Sequence, residues 1–224
     1  MKGYARLSIP LIWYGIFCFV MFQIDTPSLW LYYMMGWNVL LAALPLAFIL
    51  KCEKFSRAGN WKAALFLGAL WLLFFPNSVY MPTDMIHIAG ETFRLSSEPY
   101  APVQYTEDIV LWLRLIIIAC GILLSMIMGL ESLRIAKRQF PIKWQWPFAA
   151  CASLLAGLGV YIGRFLRFNS WDILRPIRLM RNVLESLDGF ALRFSVCYGI
   201  FVLLVFIFYE LMLSCGSSDK CAKH

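Results

Sequence analysis

Six long apolar runs alternate with short polar segments along the chain of 224 residues. The apolar runs cover residues 7–24, 29–50, 63–81, 109–130, 147–163 and 189–213. A helix that crosses a bilayer needs about 20 mainly apolar residues, and each run is near that length. The pattern therefore predicts an all-α, polytopic membrane helical bundle with about six transmembrane helices. We expect one membrane domain over residues 1–224.

The composition agrees with a membrane protein. Hydrophobic residues make up 61% of the chain and charged residues only 15%, which is outside the usual range of soluble domains. The formal net charge is +7, but the basic residues are divided among short loops rather than gathered on one face. This distribution argues against nucleic acid as a partner and predicts the lipid bilayer instead. None of the seven cysteines falls in a predicted external loop, so we expect no disulfides.

The basic residues predict an orientation in the membrane. One predicted side carries most of the lysines and arginines, and by the positive-inside rule this side is cytoplasmic. These residues are Lys2, Arg6, Lys51, Lys54, Arg57, Lys62, Arg134, Lys137, Arg138, Lys143, Lys220 and Lys223. Both termini are then predicted to be cytoplasmic. Asp25, Asp84 and Glu91 fall on the outer side.

The segment between the fifth and sixth runs is an exception, because it places several arginines on the outer side. Its apolar residues recur at helical spacing from Ile173 to Leu187, and three arginines follow another face. An amphipathic helix on the membrane surface has this pattern. We predict a short external surface helix over residues 172–187.

The end of the third apolar run contains a proline-bracketed polar patch. Pro76 and Pro82 enclose Asn77, Ser78 and Tyr80. We expect the helix to break at Pro76, and irregular backbone at membrane depth must be buried in protein or line a wet cavity. The sequence therefore places a candidate polar site here.

Three titratable residues follow this patch. If Pro82 and Thr83 begin an α-helix, then Asp84, His87 and Glu91 lie within about 60° of one face. Such a group could bind a divalent metal. It could also act without a metal, with a carboxylate orienting His87 as a general base. The structural alternative is that Asp84 favours the helix N-terminus and His87 makes an interfacial hydrogen bond.

Arginines supply a candidate anion site. Arg164 and Arg167 share a helix face at the outer end of the fifth run, where they could clamp a phosphate or a carboxylate. Asn169 and Asp172 follow them, and Arg114 lies near the outer end of the fourth run. The alternative is that the arginines reach lipid phosphates and Asn169 caps the surface helix.

Two motifs resemble a known family. They are Pro76-Asn77-x-x-Tyr80-x-x-Thr83-Asp84-x-x-His87 and Gly163-Arg164-Phe165-Leu166-Arg167-x-Asn169-Ser170-Trp171-Asp172. Together they resemble the bacterial membrane proteins classed as domain of unknown function 1361. The resemblance implies a multi-pass protein of the bacterial cytoplasmic membrane. It implies no activity. The sequence leaves any cofactor unknown, and a divalent metal is possible but not favoured.

Two functions remain open from the sequence. In the first, an outward-facing polar pocket binds or processes an anionic, lipid-linked or cell-envelope substrate. Asp84 and His87 would then carry proton chemistry, and the predicted substrate contacts are Asn77, Tyr80, Thr83, Arg114, Arg164, Arg167, Asn169 and Asp172. In the second, the protein is a non-catalytic membrane scaffold or transporter subunit, and the same residues form a structural polar network. The pattern does not decide whether the protein is an enzyme.

Overall fold

The computed structural model of the chain describes residues 8–95, 104–166, 186 and 188–221. For residues 216–221 it describes the backbone alone. Six α-helices account for most of this part of the chain. They are α1 (Ser8–Ile24), α2 (Leu29–Arg57), α3 (Trp61–Tyr80), α4 (Ile109–Lys137), α5 (Ile142–Phe165) and α6 (Gly189–Cys221). Two 3-10 segments, Thr26–Ser28 and Met81–Ile88, follow α1 and α3. Over the same residues the only extended pairing is an isolated antiparallel bridge between Arg94 and Tyr105.

Short polar side chains mark where three of the helices begin. The Asn60 side chain accepts a hydrogen bond from the Ala63 amide at the start of α3 (3.2 Å). Asp108 accepts one from the Val110 amide at α4 (2.9 Å), and Asp188 one from the Ala191 amide at α6 (2.7 Å). A helix leaves its first amides without intrahelical partners, and these side chains satisfy one each.

The third helix corrects the expected break at Pro76. Helix α3 is continuous through Pro76 to Tyr80, and the change of conformation comes at Met81, where the 3-10 segment begins. A proline inside a helix removes one hydrogen-bond donor, but here neighbouring helices pack around the position. The buried Ser78 hydroxyl donates a hydrogen bond to the Ala42 carbonyl of α2 (2.8 Å).

The helices have membrane dimensions. Within the described residues, five of them are long and apolar enough to cross a bilayer, while α1 has 17 residues and is shorter. Large apolar side chains such as Trp13, Leu65 and Phe208 are more than 60% exposed, which is expected where lipid rather than water surrounds a protein. These features confirm the predicted all-α membrane bundle, and the protein is a multi-pass membrane protein. The predicted surface helix at 172–187 lies outside the described residues.

The chain divides into two compact units. Unit 1 comprises Met1–Leu40 and Met81–Met126. In it, α1 packs closely on α4: the Tyr14 hydroxyl donates to the Ile117 carbonyl (3.2 Å). A Cβ at Gly121 would lie 2.4 Å from the Tyr14 hydroxyl oxygen, so a side chain there would displace the end of the Tyr14 side chain.

Unit 2 comprises Leu41–Tyr80 and Ile127–His224. Its helices α5 and α6 approach backbone to backbone: a Cβ at Gly157 would lie 2.1 Å from the Ser195 carbonyl oxygen, and one at Gly199 would lie 2.7 Å from the Leu154 Cα. Small residues permit such close crossings of membrane helices. A Cβ at Gly159 would also lie 2.5 Å from Pro76 Cγ, so α5 receives the proline ring of α3.

Candidate functional site

The 3-10 segment Met81–Ile88 carries the Asp84–His87 pair of unit 1. A 3-10 helix has three residues per turn, so side chains at positions i and i+3 lie one above the other. Accordingly, His87 Nε2 lies 3.7 Å from Asp84 Oδ1. This distance is longer than a hydrogen bond, and the carboxylate therefore acts on the imidazole as a nearby charge.

Asp84 is held from a second side. Its residue surface is 1% exposed, and its Oδ2 accepts a hydrogen bond from the Asn38 side-chain amide of α2 (3.1 Å). The His87 side chain keeps 31% of its surface exposed. The pair thus combines an enclosed, fixed carboxylate with an accessible imidazole, and the carboxylate charge can stabilise the imidazole once it has accepted a proton.

Arg114 of α4 lies at the centre of a second polar group in unit 1. Its guanidinium donates two hydrogen bonds to the Asp25 carboxylate, from Nε to Oδ2 (2.5 Å) and from Nη2 to Oδ1 (2.9 Å). Its Nη1 donates to Glu91 Oε1 (2.6 Å). The Tyr32 hydroxyl of α2 also donates to Asp25 Oδ2 (2.5 Å). We call Asp25, Tyr32, Glu91 and Arg114 the Arg114 cluster.

The cluster keeps Asp25 ionised. The Arg114 guanidinium, through its hydrogen bonds, holds the pKa of the Asp25 carboxyl below its usual value of 3.8. Burial of Asp25 opposes this effect, and the Tyr32 hydroxyl reinforces it. A salt-bridged carboxylate of this kind stabilises the folded protein as long as it carries its charge.

Glu91 is not part of the predicted Asp84–His87–Glu91 face. The predicted α-helix is a 3-10 segment that ends at Ile88, and Glu91, beyond that end, pairs with Arg114. Among the described residues, no three His, Cys, Asp or Glu side chains are grouped so that they could hold a metal ion. The structure brings Asp84 and His87 together and gives Glu91 a different partner.

Two of the other predicted contacts, Tyr80 and Arg164, meet in unit 2. The Arg164 guanidinium of α5 lies over the Tyr80 ring at 4.5 Å from its centroid. This is a cation–π contact, and it links the ends of α3 and α5.

The remaining predicted contacts are divided between the two units and the part of the chain that is not described. Asn77 lies in the last turn of α3. Thr83 lies in unit 1, in the 3-10 segment next to Asp84. Arg167, Asn169 and Asp172 lie outside the described residues, so the predicted pocket that unites both motifs stays a prediction.

Unit 2 also contains basic residues that the sequence assigned to a short loop. Arg134 and Lys137 lie in the last turns of α4 rather than in a loop. Arg134 forms two hydrogen bonds of 2.6 Å to Glu131, and the Tyr209 hydroxyl also donates to Glu131 (3.0 Å). These pairs neutralise charge along the side of α4.

Lys137 has three partners in unit 2. Its ammonium donates to Glu210 Oε2 of α6 (2.8 Å), and it lies 4.3 Å from the centroid of a Trp146 ring and 5.1 Å from that of Phe206. Only 3% of Lys137 is exposed. We call Lys137, Trp146, Phe206 and Glu210 the Lys137 cluster. Glu210 of α6 thus pairs with a cation of α4.

Three residues of unit 1 were absent from the predicted site: Asp25, Tyr32 and Asn38. Asp25 offered one signal, because it follows an apolar run directly and precedes Pro27. A charge at the end of a span calls for a partner. Nothing in the local sequence identifies Arg114, 89 positions away, as that partner.

The motifs and the helices can be compared with known proteins. A family profile described as "Protein of unknown function (DUF1361)" matches residues 37–205. This range includes α3, α4, α5 and both motifs. No curated protein and no solved structure is significantly similar to the chain. The match covers about three quarters of the chain, and the chain therefore belongs to the DUF1361 family of proteins of unknown function.

Proposed function

We propose that the protein binds or processes an anionic, lipid-linked or cell-envelope substrate and that the Asp84–His87 pair accepts a proton from it. The observation that carries the proposal is the contrast within the pair. Asp84 is 1% exposed and fixed by Asn38, whereas His87 remains accessible. A structural ion pair would not require an accessible imidazole.

The chemistry follows from this geometry. The His87 imidazole takes a proton from a substrate hydroxyl or acid and becomes a cation. The Asp84 carboxylate, 3.7 Å away, stabilises that cation. Asn38 holds the carboxylate at its other oxygen and so limits rotation. A positioned general base contributes about 10²- to 10⁴-fold to a rate.

The setting of this site is also part of the proposal. We place the protein in the bacterial cytoplasmic membrane with both termini in the cytoplasm, as the basic residues predict, so that His87 acts on the outer side. The anionic nature of the substrate comes from the predicted contacts Arg164 and Arg167, and Asn169 and Asp172 are further predicted contacts. The residue type supports it, because a guanidinium matches the geometry of a phosphate or carboxylate with two parallel hydrogen bonds.

One observation favours the alternative, a non-catalytic scaffold or transporter subunit. Arg114, a predicted substrate contact, is engaged by the carboxylates of Asp25 and Glu91. A guanidinium neutralised by two carboxylates has little attraction left for an anion. In this alternative, Asp84 and His87 belong to the same kind of structural network.

The experiment compares His87→Gln, Asp84→Asn and the control His224→Gln in a strain that lacks the chromosomal gene. Membrane abundance is measured for each variant, and lipid-linked envelope intermediates are compared by mass spectrometry. We expect His87→Gln to reproduce the deletion pattern at normal abundance, Asp84→Asn to reproduce part of it, and His224→Gln to match the wild type.

Two results would contradict the proposal. If His87→Gln restores the wild-type pattern at normal abundance, His87 carries no chemistry. If the substitutions at Asp84 and His87 instead remove the protein from the membrane, the structural alternative is favoured.

A further inference from the structure

The end of the 3-10 segment is joined to Glu91 by backbone hydrogen bonds. The Ala89 amide donates to the Ile86 carbonyl (3.2 Å), and the Glu91 amide donates to the Ile88 carbonyl (3.1 Å). The turn that carries His87 is therefore followed by hydrogen-bonded backbone as far as Glu91. Whatever fixes the Glu91 carboxylate also fixes the end of the segment.

Arg114 connects that carboxylate to Asp25, between α1 and α2. One of its nitrogens holds Glu91, and two hold Asp25. Asp25 is itself immobilised, because its amide donates to the Met21 carbonyl of α1 (2.9 Å) and its carboxylate accepts from Tyr32 of α2. The guanidinium thus connects the α1–α2 turn, helix α4 and the end of the 3-10 segment.

We infer that Arg114 is a positioning residue, which sets the orientation of His87 through Glu91 and does not bind the anionic substrate. The use of that orientation rests on the proposed function, but the positioning itself does not. Together with Asn38, which holds Asp84, Arg114 gives the segment one anchor on α2 and one on α4.

The three nitrogens explain why the position needs arginine. The guanidinium is a planar fork that can hold one carboxylate with two nitrogens and another with the third. A lysine ammonium is a single point and cannot reproduce this geometry. Glu91 is the weaker member, because 35% of its side chain is exposed against 3% for Asp25. The connection is therefore expected to open first between Arg114 and Glu91.

The test uses His87 as a single reporter. The chain has two histidines, so His224→Gln with a histidine-free affinity tag leaves His87 alone. In purified protein in lipid nanodiscs, the His87 ring resonance is recorded by NMR after ¹³C-histidine labelling. The rate of acylation of His87 by diethyl pyrocarbonate is measured on the same samples. The variants are Arg114→Lys, Arg114→Met and Glu91→Gln, and the control is Arg193→Met, whose guanidinium bonds to the Gly189 carbonyl of its own helix.

We expect all three variants to shift the His87 resonance and to change its acylation rate by about fivefold, the effect of losing one modest interaction, while Arg193→Met changes neither. Arg114→Lys should resemble Arg114→Met rather than the wild type. Glu91→Gln keeps the Asp25 pair, so it remains informative if the Arg114 variants do not fold. Wild-type resonance and rate in folded Glu91→Gln would overturn the inference.

The two proposals can fail separately. If the Arg114 and Glu91 variants change the His87 signals but His87→Gln restores the wild-type envelope pattern, the positioning is correct and the proposed function is wrong. If His87→Gln loses function while the signals stay unchanged, the proposed function stands without Arg114 as its positioning residue.

Discussion

Arg114 in unit 1 and Lys137 in unit 2 are both cations on helix α4, and each is neutralised in a different way. Arg114 is held by hydrogen bonds of fixed direction to two carboxylates. Lys137 is held by one carboxylate and the faces of two aromatic rings. The Arg114 side chain is 19% exposed and that of Lys137 is 4% exposed.

The difference follows from the shapes of the two cations. A guanidinium satisfies several acceptors in one plane, so it can connect separate segments. An ammonium is a compact charge that an aromatic face can stabilise from any direction. The Arg114 cluster is therefore suited to setting a geometry, while the Lys137 cluster is suited to enclosing a charge where α4 ends and α6 passes.

The largest loss of stability should come from Asp25→Asn. This substitution removes the carboxylate that accepts two hydrogen bonds from the partly buried Arg114 guanidinium. Removing one partner of a buried ion pair is strongly destabilising, and we expect a loss of about 3 kcal/mol. The measurement is reversible unfolding in mixed micelles. Glu53→Gln is the control, because Glu53 pairs with the exposed Arg57 and should change stability by less than about 1 kcal/mol. Equal effects would remove the distinction between the two carboxylates.

Lys137→Met should have a smaller effect. The substitution keeps the apolar contact with Trp146 and Phe206 but leaves Glu210, whose side chain is 21% exposed, without its cation. We expect a loss of about 2 kcal/mol in the same unfolding measurement. The double variant Lys137→Met with Glu210→Gln should recover part of this loss, since the unpaired charge is gone. If the double variant is no more stable than Lys137→Met, the pair does not carry the effect.

The smallest effect is a pH dependence of the unfolding free energy, caused by the Arg114 cluster. The folded pKa of Asp25 lies below its usual 3.8 because Arg114 donates hydrogen bonds to the charged form. The stabilisation is therefore complete above that usual value and is lost as the pH falls through the folded pKa. The difference in unfolding free energy between wild type and Asp25→Asn should be constant from pH 7 to about 5 and shrink below about 4. A difference that grows on acidification would contradict this assignment.

The sequence was sufficient for the architecture. Helix formation and membrane crossing depend on the local density of apolar residues, and this density is visible in any run such as 109–130. The motif also identified Asp84 and His87 as neighbours, because three residues of separation place them on one side of either helix type. Such local relations require no knowledge of partners elsewhere in the chain.

Conformation and pairing at the site were less accessible. The 3-10 form of Met81–Ile88 and the continuity of α3 through Pro76 depend on packing around them, which local sequence does not encode. Arg114 meets Asp25 across 89 positions, and Lys137 meets Glu210 across 73. Lys137, in the last turn of α4, resembled part of a basic loop because the carboxylate that neutralises it belongs to a distant helix.

The close approach of α5 to α3 links two positions of the chain that have no chemical similarity. A methyl group on residue 159 would overlap the ring of Pro76, and a proline ring cannot rotate away as a flexible side chain would. The absence of a side chain at Gly159 therefore makes room for the proline ring in the interior of α3. A side chain introduced at position 159 would therefore carry a penalty unless the residue at position 76 became smaller as well.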